Sequence, residues 1–213
     1  MVFSRDTELS LISAVNLINT APSFLTAKGI VSGEDSLMTL AHLHDFVERE
    51  QFSGLRNRDG QELAAVRAMR EELRAMFTAD EDAAAAHVNA LLFRATAVPQ
   101  LVKHDHWDWH LHATVPAAPL ALRIGVEAAM ALADVIRSKE MERLKVCAAP
   151  DCCALVLDLS KNRSRRYCDT GNCGNRAHVA AYRRRKSTAA SGQANAKKPT
   201  ANAYFIVPAD TEP

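Results

Sequence analysis

Along the first 140 positions, apolar residues recur mainly at helical spacing. Leu9, Ile12, Val15 (or Asn16) and Asn19 open with an i, i+3 rhythm, and Pro22 breaks it. Gly29 and Gly33 mark a loop. Asp35 or Ser36 is placed to cap a helix carrying Leu37, Leu40, Leu43, Phe46 and Val47 on one face. Gly54 and Gly60 bound the next turn. A long helix is predicted from about Gln61 to Phe77, with Leu63, Val66, Met69 (or Arg70) and Leu73 inward. On it Glu62, Glu71 and Glu72 interleave with Arg67, Arg70 and Arg74, the pattern of a solvated face. Asp80 or Asp82 starts an alanine-rich helix that must stop before Pro99. From Trp107 to His112 the period falls to two, which predicts a strand or hairpin arm. A last helix is expected from about Leu120 to Lys139, with Leu122, Val126, Met130, Ala133 and Ile136 (or Val135) inward.

Beyond residue 140 this periodicity ends and cysteines take over. The expected fold is mainly α. A helical N-terminal domain with a small β hairpin (1–140) precedes a four-cysteine zinc-finger module ending in a basic helix (141–186). The connection Glu140–Val146 is short, so the two parts should be held close. Residues 187–213 read as a flexible tail, interrupted by Tyr204-Phe205-Ile206-Val207.

Composition and charge narrow the function. Apolar residues make up 48%, too many for a disordered polyelectrolyte. No apolar run approaches the roughly 18–20 residues that cross a bilayer, so no membrane partner is expected. Leu9–Ile18 carries Asn16 and reads as an amphipathic helix rather than a signal peptide. A cytoplasmic location follows, where clustered cysteines more often bind metal than form disulfides. The net charge of +1 conceals a split. Residues 1–140 hold 13 basic and 19 acidic residues, whereas 141–200 hold 13 basic and 4 acidic, a local charge of +9. A segment that positive suggests a polyanion as its partner.

The cysteines give that segment its chemistry. Cys147 and Cys152 are separated by four residues, as are Cys168 and Cys173, with fifteen residues between the pairs. Two tight turns of this kind supply four thiolates to one tetrahedral Zn2+. Pro150, Asp151, Gly171 and Asn172 are residues such turns use. Cys153 competes with Cys152 as a ligand, but Cys152 makes both knuckles the same length. A four-thiolate shell leaves the ion no open position, so the site is structural and no enzymatic activity is expected from it.

Basic residues surround the knuckles. Lys161, Arg163, Arg165 and Arg166 lie between the pairs, and Arg176, Arg183, Arg184, Arg185 and Lys186 follow the second. A helix from Asn175 would gather Arg176, Arg183 and Arg184 on one arc and turn Val179 and Tyr182 the other way. Arg163, Arg165, Arg166, Arg176, Arg183 and Arg184 are therefore candidate contacts to phosphates or guanine edges. An RNA-binding knuckle is the alternative.

The string Cys173-Gly174-Asn175-Arg176 resembles the signature of the CGNR zinc-finger proteins. The likeness extends from Cys147-x4-Cys152 through Leu157-Asp158-x-Ser160-x-Asn162-Arg163-Ser164-Arg165-Arg166-Tyr167-Cys168 to Ala177-x-Val179-Ala180-x-Tyr182-Arg183. Proteins of this kind are usually bacterial and carry an N-terminal domain called ABATE, described as a stress-induced transcription regulator. Ala14–Thr20 resembles that domain's opening helix, which ends in Asn-Thr. The resemblance implies a zinc-dependent, DNA-binding transcriptional regulator.

One constellation stands apart from the cysteines. His104, His106, His110 and His112 alternate with Trp107, Trp109 and Leu111, and a strand would put His106, His110 and His112 on one face. Such a face suits a metal, which leaves a metalloenzyme as a further alternative. A pocket for a small-molecule effector, built around Trp107, Trp109 and His110, is the other use. A dimer is compatible with this plan.

Overall fold

A computed structural model describes residues 2–26, 31–103 and 108–193 of the chain. The helical body is organised around the most apolar helix. In order it comprises α1 (Arg5–Ile18), α2 (Leu40–Arg49), α3 (Gly60–Thr78), α4 (Glu81–Arg94) and α5 (Leu120–Arg137). Helix α5 is buried on most of its circumference, with Val126, Ala129, Leu132 and Val135 deepest, and α1, α3 and α4 pack around it. Its small residues let the neighbours come close. A Cβ at Gly125 would stand 2.6 Å from the Met69 sulfur of α3. Of the inward set expected for α5, Val126 and the alternative Val135 are fully buried, whereas Leu122, Met130, Ala133 and Ile136 are partly buried. A helix covered nearly all round has no single apolar stripe to read.

In helix α1 the buried residues include Leu11, Ala14, Val15 and Ile18, so Val15 is inward as expected, while Leu9 and Ile12 are 36% and 38% exposed. Polar side chains set four helix starts. Ser4, Thr39, Asp59 and Asp80 each accept a hydrogen bond from the amide three residues on, which is the N-cap arrangement. Thr39, not Asp35 or Ser36, caps α2. Asp35 instead turns the chain so that its carboxylate accepts the Leu37 N–H at 2.8 Å and both Arg70 Nη groups at 2.9 Å. Arg70 is therefore buried rather than solvated, and Glu62, also buried, receives Arg56 at 3.0 Å.

Three antiparallel hairpins complete the described architecture. They are β1 (Phe24–Leu25) with β2 (Val31–Ser32), β3 (Gln100–Val102) with β4 (His110–His112), and β5 (Leu144–Val146) with β6 (Leu155–Leu157). The alternating run expected from Trp107 is a strand over His110–His112, with His110 opposite Val102 and His112 opposite Gln100. Of the three, the sequence points only to β3–β4, because an alternating run longer than the strand itself, Trp107–His112, leads into it; β6 is apolar at every position and shows no alternation. Helix α6 (Cys173–Gln193) closes the described chain and runs past residue 186, because Ser187–Ser191 contains no helix breaker. Residues 194–213, with Tyr204–Val207, lie outside the described residues. Met1–Gly174 form one compact unit and the chain from Asn175 a second.

Candidate metal centre

Strand β6 is the wall on which the centre is built. Its side chains alternate, so Leu155 and Leu157 enter the helical core while Val156, with Ala154, faces the cysteines. The first knuckle folds back on this wall. The Cys147 N–H donates to the Ala154 carbonyl at 2.9 Å, the Cys152 N–H to Ala149 at 3.1 Å, and the Ala148 N–H to Arg166 at 2.8 Å. In the second knuckle Asn172 adopts φ +50°, a conformation that asparagine tolerates well. A Cβ at Gly171 would stand 3.0 Å from the Cys173 sulfur and 3.3 Å from the Phe24 ring, so a larger residue there would press on the knuckle.

These turns bring together Cys147, Cys152, Cys168 and Cys173, all buried, with the four sulfurs within 4.8 Å of one another. The Cys152–Cys168 and Cys168–Cys173 sulfurs are 3.8 and 3.6 Å apart. A regular tetrahedron of thiolates about 2.3 Å from an ion has edges of about 3.8 Å, so the donor set fits one tetrahedral metal. All five cysteines are free thiols. Cys153 stays outside the cluster. Its sulfur and its N–H both donate to the Ser23 carbonyl, at 3.4 and 2.8 Å. The choice of Cys152 over Cys153 as ligand is therefore the one the geometry supports.

The thiols do not ionise independently. Burial pushes the Cys152 thiol up. Burial also acts upward on Cys168, but hydrogen bonds from Thr170, Gly171, Cys173 and Cys152 outweigh it and bring that thiol down to about 7. One negative charge in so small a space suppresses the next, and a cation relieves all four.

The centre is tied into the helical body by backbone as well as side chains. The Asn19 amide donates to the Leu155 carbonyl at 2.9 Å and its oxygen accepts the Leu155 N–H at 2.8 Å, so one side chain completes the edge of β6. Next to it Thr20 accepts Arg70 Nη1 at 3.1 Å. These contacts give the Asn-Thr pair at the end of α1 a structural purpose. Phe24 bridges Cys152 in antiparallel fashion, the Leu25 N–H donates to Asp151 at 2.9 Å, and Arg74 donates to the Cys153 carbonyl at 2.6 Å.

Asp158 organises the basic loop. Its fully buried carboxylate accepts Lys145 Nζ at 2.6 Å, the Ser160 hydroxyl at 2.5 Å and the backbone N–H groups of Ser160 and Arg165 at 3.0 and 2.8 Å. Burial alone would raise this carboxyl, but those donors hold it down to about 2. The ionic partner of Asp158 is Lys145, and Arg165 contributes its amide.

The candidate nucleic-acid contacts divide. Arg163 pairs with Glu140 and Glu142, and Arg165 with Asp169, so both guanidiniums are already engaged within the module. Arg166 is exposed, with no ion pair among the described residues. On α6, Arg176, Arg183 and Arg184 are exposed and fall on one stripe with Ala180. Val179 and Tyr182, on the other side, are exposed as well. Of the proposed effector residues, His110 lines a cavity in the helical body and Trp109 is 67% exposed. Trp107, like His104 and His106, lies outside the described residues.

Fold and site together define a helical protein with a four-cysteine metal module built against it. The family model of the CGNR zinc finger matches residues 143–186, and that of ABATE, "Putative stress-induced transcription regulator", matches 13–139. The chain belongs to the ABATE family and carries a CGNR zinc finger. No curated protein matches it. Among the described residues no helix is long and apolar enough to cross a membrane.

Proposed function

We propose that the protein is a zinc-dependent transcriptional regulator that binds DNA through its basic loop and α6. The observation that carries this reading is the charge of α6: from Cys173 to Gln193 it holds five arginines and lysines, all exposed, and no acidic residue. A helix of that kind suits a phosphate backbone or a major groove. Tetrahedral sulfur donors favour zinc over hard cations, and a saturated shell assigns the ion to folding rather than catalysis. The family description supports taking the helical body as the stress-responsive half, working in the cytoplasm.

Fluorescence anisotropy with duplex DNA, in zinc-loaded and chelated protein, tests this. Binding is expected to require metal and to weaken steeply with salt. Arg166→Ala plus Arg183→Ala should lower the log–log salt slope by up to about two. Equal affinity with and without metal would sink the proposal, and preference for single-stranded RNA would move it to the alternative partner. Selection of bound sequences from a duplex library then gives the operator.

A further inference from the structure

A cavity of about 350 Å³ opens in the helical body between α1, α5 and β4, a size that takes a small organic molecule. Leu9, Phe52, Leu92 and Met130 give it an apolar wall, and Ser10, Ala131 and Ala133 are too short to fill it. Its charge is one-sided. Asp6, Glu50, Glu127 and Asp134 line it against a single arginine, Arg137. The carboxylates outnumber the cations even with both lining histidines, His110 and His112, counted as charged. Buried hydroxyls of α1 fix two of these acids. Asp134 accepts Thr7 Oγ1 at 2.7 Å, and Glu50 accepts Ser13 Oγ at 3.0 Å. The Glu50 side chain is only 6% exposed and also accepts the Asn16 amide at 3.0 Å. Arg49, 3.0 Å from Glu50, and Arg137, 3.5 Å from Asp134, keep their own side chains 61% and 81% exposed, where water screens them.

Negative charge held beside a low-dielectric wall focuses its field into a cleft and draws in a cation. The arrangement of the acids decides which kind. Among the described residues only the four cysteines bring three or more ligand atoms together for a metal, so the carboxylates of this cavity do not converge on one ion. They are spread around an apolar space instead. That suits a molecule whose hydrocarbon part leaves water while its ammonium donates charge-assisted hydrogen bonds to carboxylates. We propose that the cavity is a binding site for a small organic cation with an apolar body, of the aryl- or alkylammonium class. Phe52, Leu92 and Met130 take the hydrocarbon. Glu127 and Asp134, seven residues apart and so on one face of α5, offer the ammonium its carboxylates.

The site is independent of the DNA-binding reading, and its test involves no DNA. Zinc-loaded full-length protein is titrated calorimetrically with three molecules of similar shape: phenethylammonium, phenethyl alcohol and phenylpropionate. The ammonium is expected to bind about tenfold or more tightly than the alcohol, and the carboxylate not at all. Ser10→Phe, which fills the cavity, should abolish binding of the ammonium. Glu127→Gln plus Asp134→Asn should weaken the ammonium about tenfold or more and leave the alcohol unchanged, a split that general damage to the fold does not produce. Asp45→Asn, exposed on α2, is the control and should change nothing. Helical circular dichroism checks that the variants fold. Equal affinity for ammonium and alcohol, preference for the carboxylate, or no heat from the ammonium at millimolar concentration overturns the proposal. So does ammonium binding that survives the Glu127→Gln/Asp134→Asn double variant at full strength.

Discussion

The helical body and the metal module each bury a cluster of side chains, but the clusters differ in kind. The body encloses leucines, isoleucines, phenylalanines and methionines from five helices. The module encloses four cysteines with Ala149, Ala154 and Val156, and little else. Burial of so few methyl groups cannot offset the entropy of ordering two knuckles and a loop. The difference teaches where each part gets its folding free energy: the body from apolar area, the module from metal–sulfur bonds. Replacing one ligand is thus the harshest way to break the comparison. Cys168→Ser or Cys173→Ser should remove the metal and, with it, about 10 kcal/mol or more of folding free energy from the module. The helices should survive. Metal analysis and limited proteolysis check this together: cleavage confined to 147–172 agrees, whereas a fully metallated, resistant variant contradicts the ligand assignment.

Asn19 belongs to both regions, which makes it the next test. Asn19→Ala would leave the Leu155 N–H and carbonyl without the partners they have now, at a cost of about 2–3 kcal/mol. Because Leu155 and Leu157 are seated in the helical core while Val156 backs the cysteines, the loss should appear on both sides. Thermal unfolding should shift downward, and a chelator should extract metal faster than from wild type. An unchanged extraction rate would mean that the module stands independently of the seam.

How much of this was legible in the sequence follows from the same contrast. The cysteine spacing names its own ligands, since two equal knuckles admit few other pairings, and the helices announced themselves through capping residues and helical spacing. The phase of α1 and α5 was harder. A helix buried nearly all round shows no stripe, and Leu9, an ordinary core residue by type, lines a cavity. Arg70 and Asp35 illustrate a deeper limit. A charged residue on a helix looks solvated until its partner, 35 positions away, is known to fold over it. The same holds for Asn19 and β6. Short strands stitched by side chains from distant elements leave no periodic trace. Arg163 and Arg165 looked like ligands for nucleic acid until Glu140, Glu142 and Asp169 were seen beside them.

Acid sharpens the comparison at the smallest scale. Metal binding needs deprotonated thiols, so falling pH should release the ion from the module first. The body responds lower on the scale, through Asp35. Burial alone would raise that carboxyl from 3.8, but the hydrogen bonds from Arg70 and the Leu37 N–H, and the charges of Arg70 and Arg67, outweigh it and bring it to about 2. A carboxyl depressed in the folded state contributes stability that is complete above the unfolded value and is lost as pH falls through the folded one. The window is therefore about pH 4 to 2, and the contribution at neutral pH is about 2 kcal/mol. Followed by a metal-sensitive dye and by helical circular dichroism, acid titration should show metal release at higher pH than loss of helix. Urea unfolding at fixed pH values isolates the second event. Wild type should lose stability steeply between about pH 4 and 2, and Asp35→Asn should start less stable and fall less over that window. Parallel profiles for the two proteins would remove Asp35 from the acid response and leave the buried Arg70 pair without a role in it.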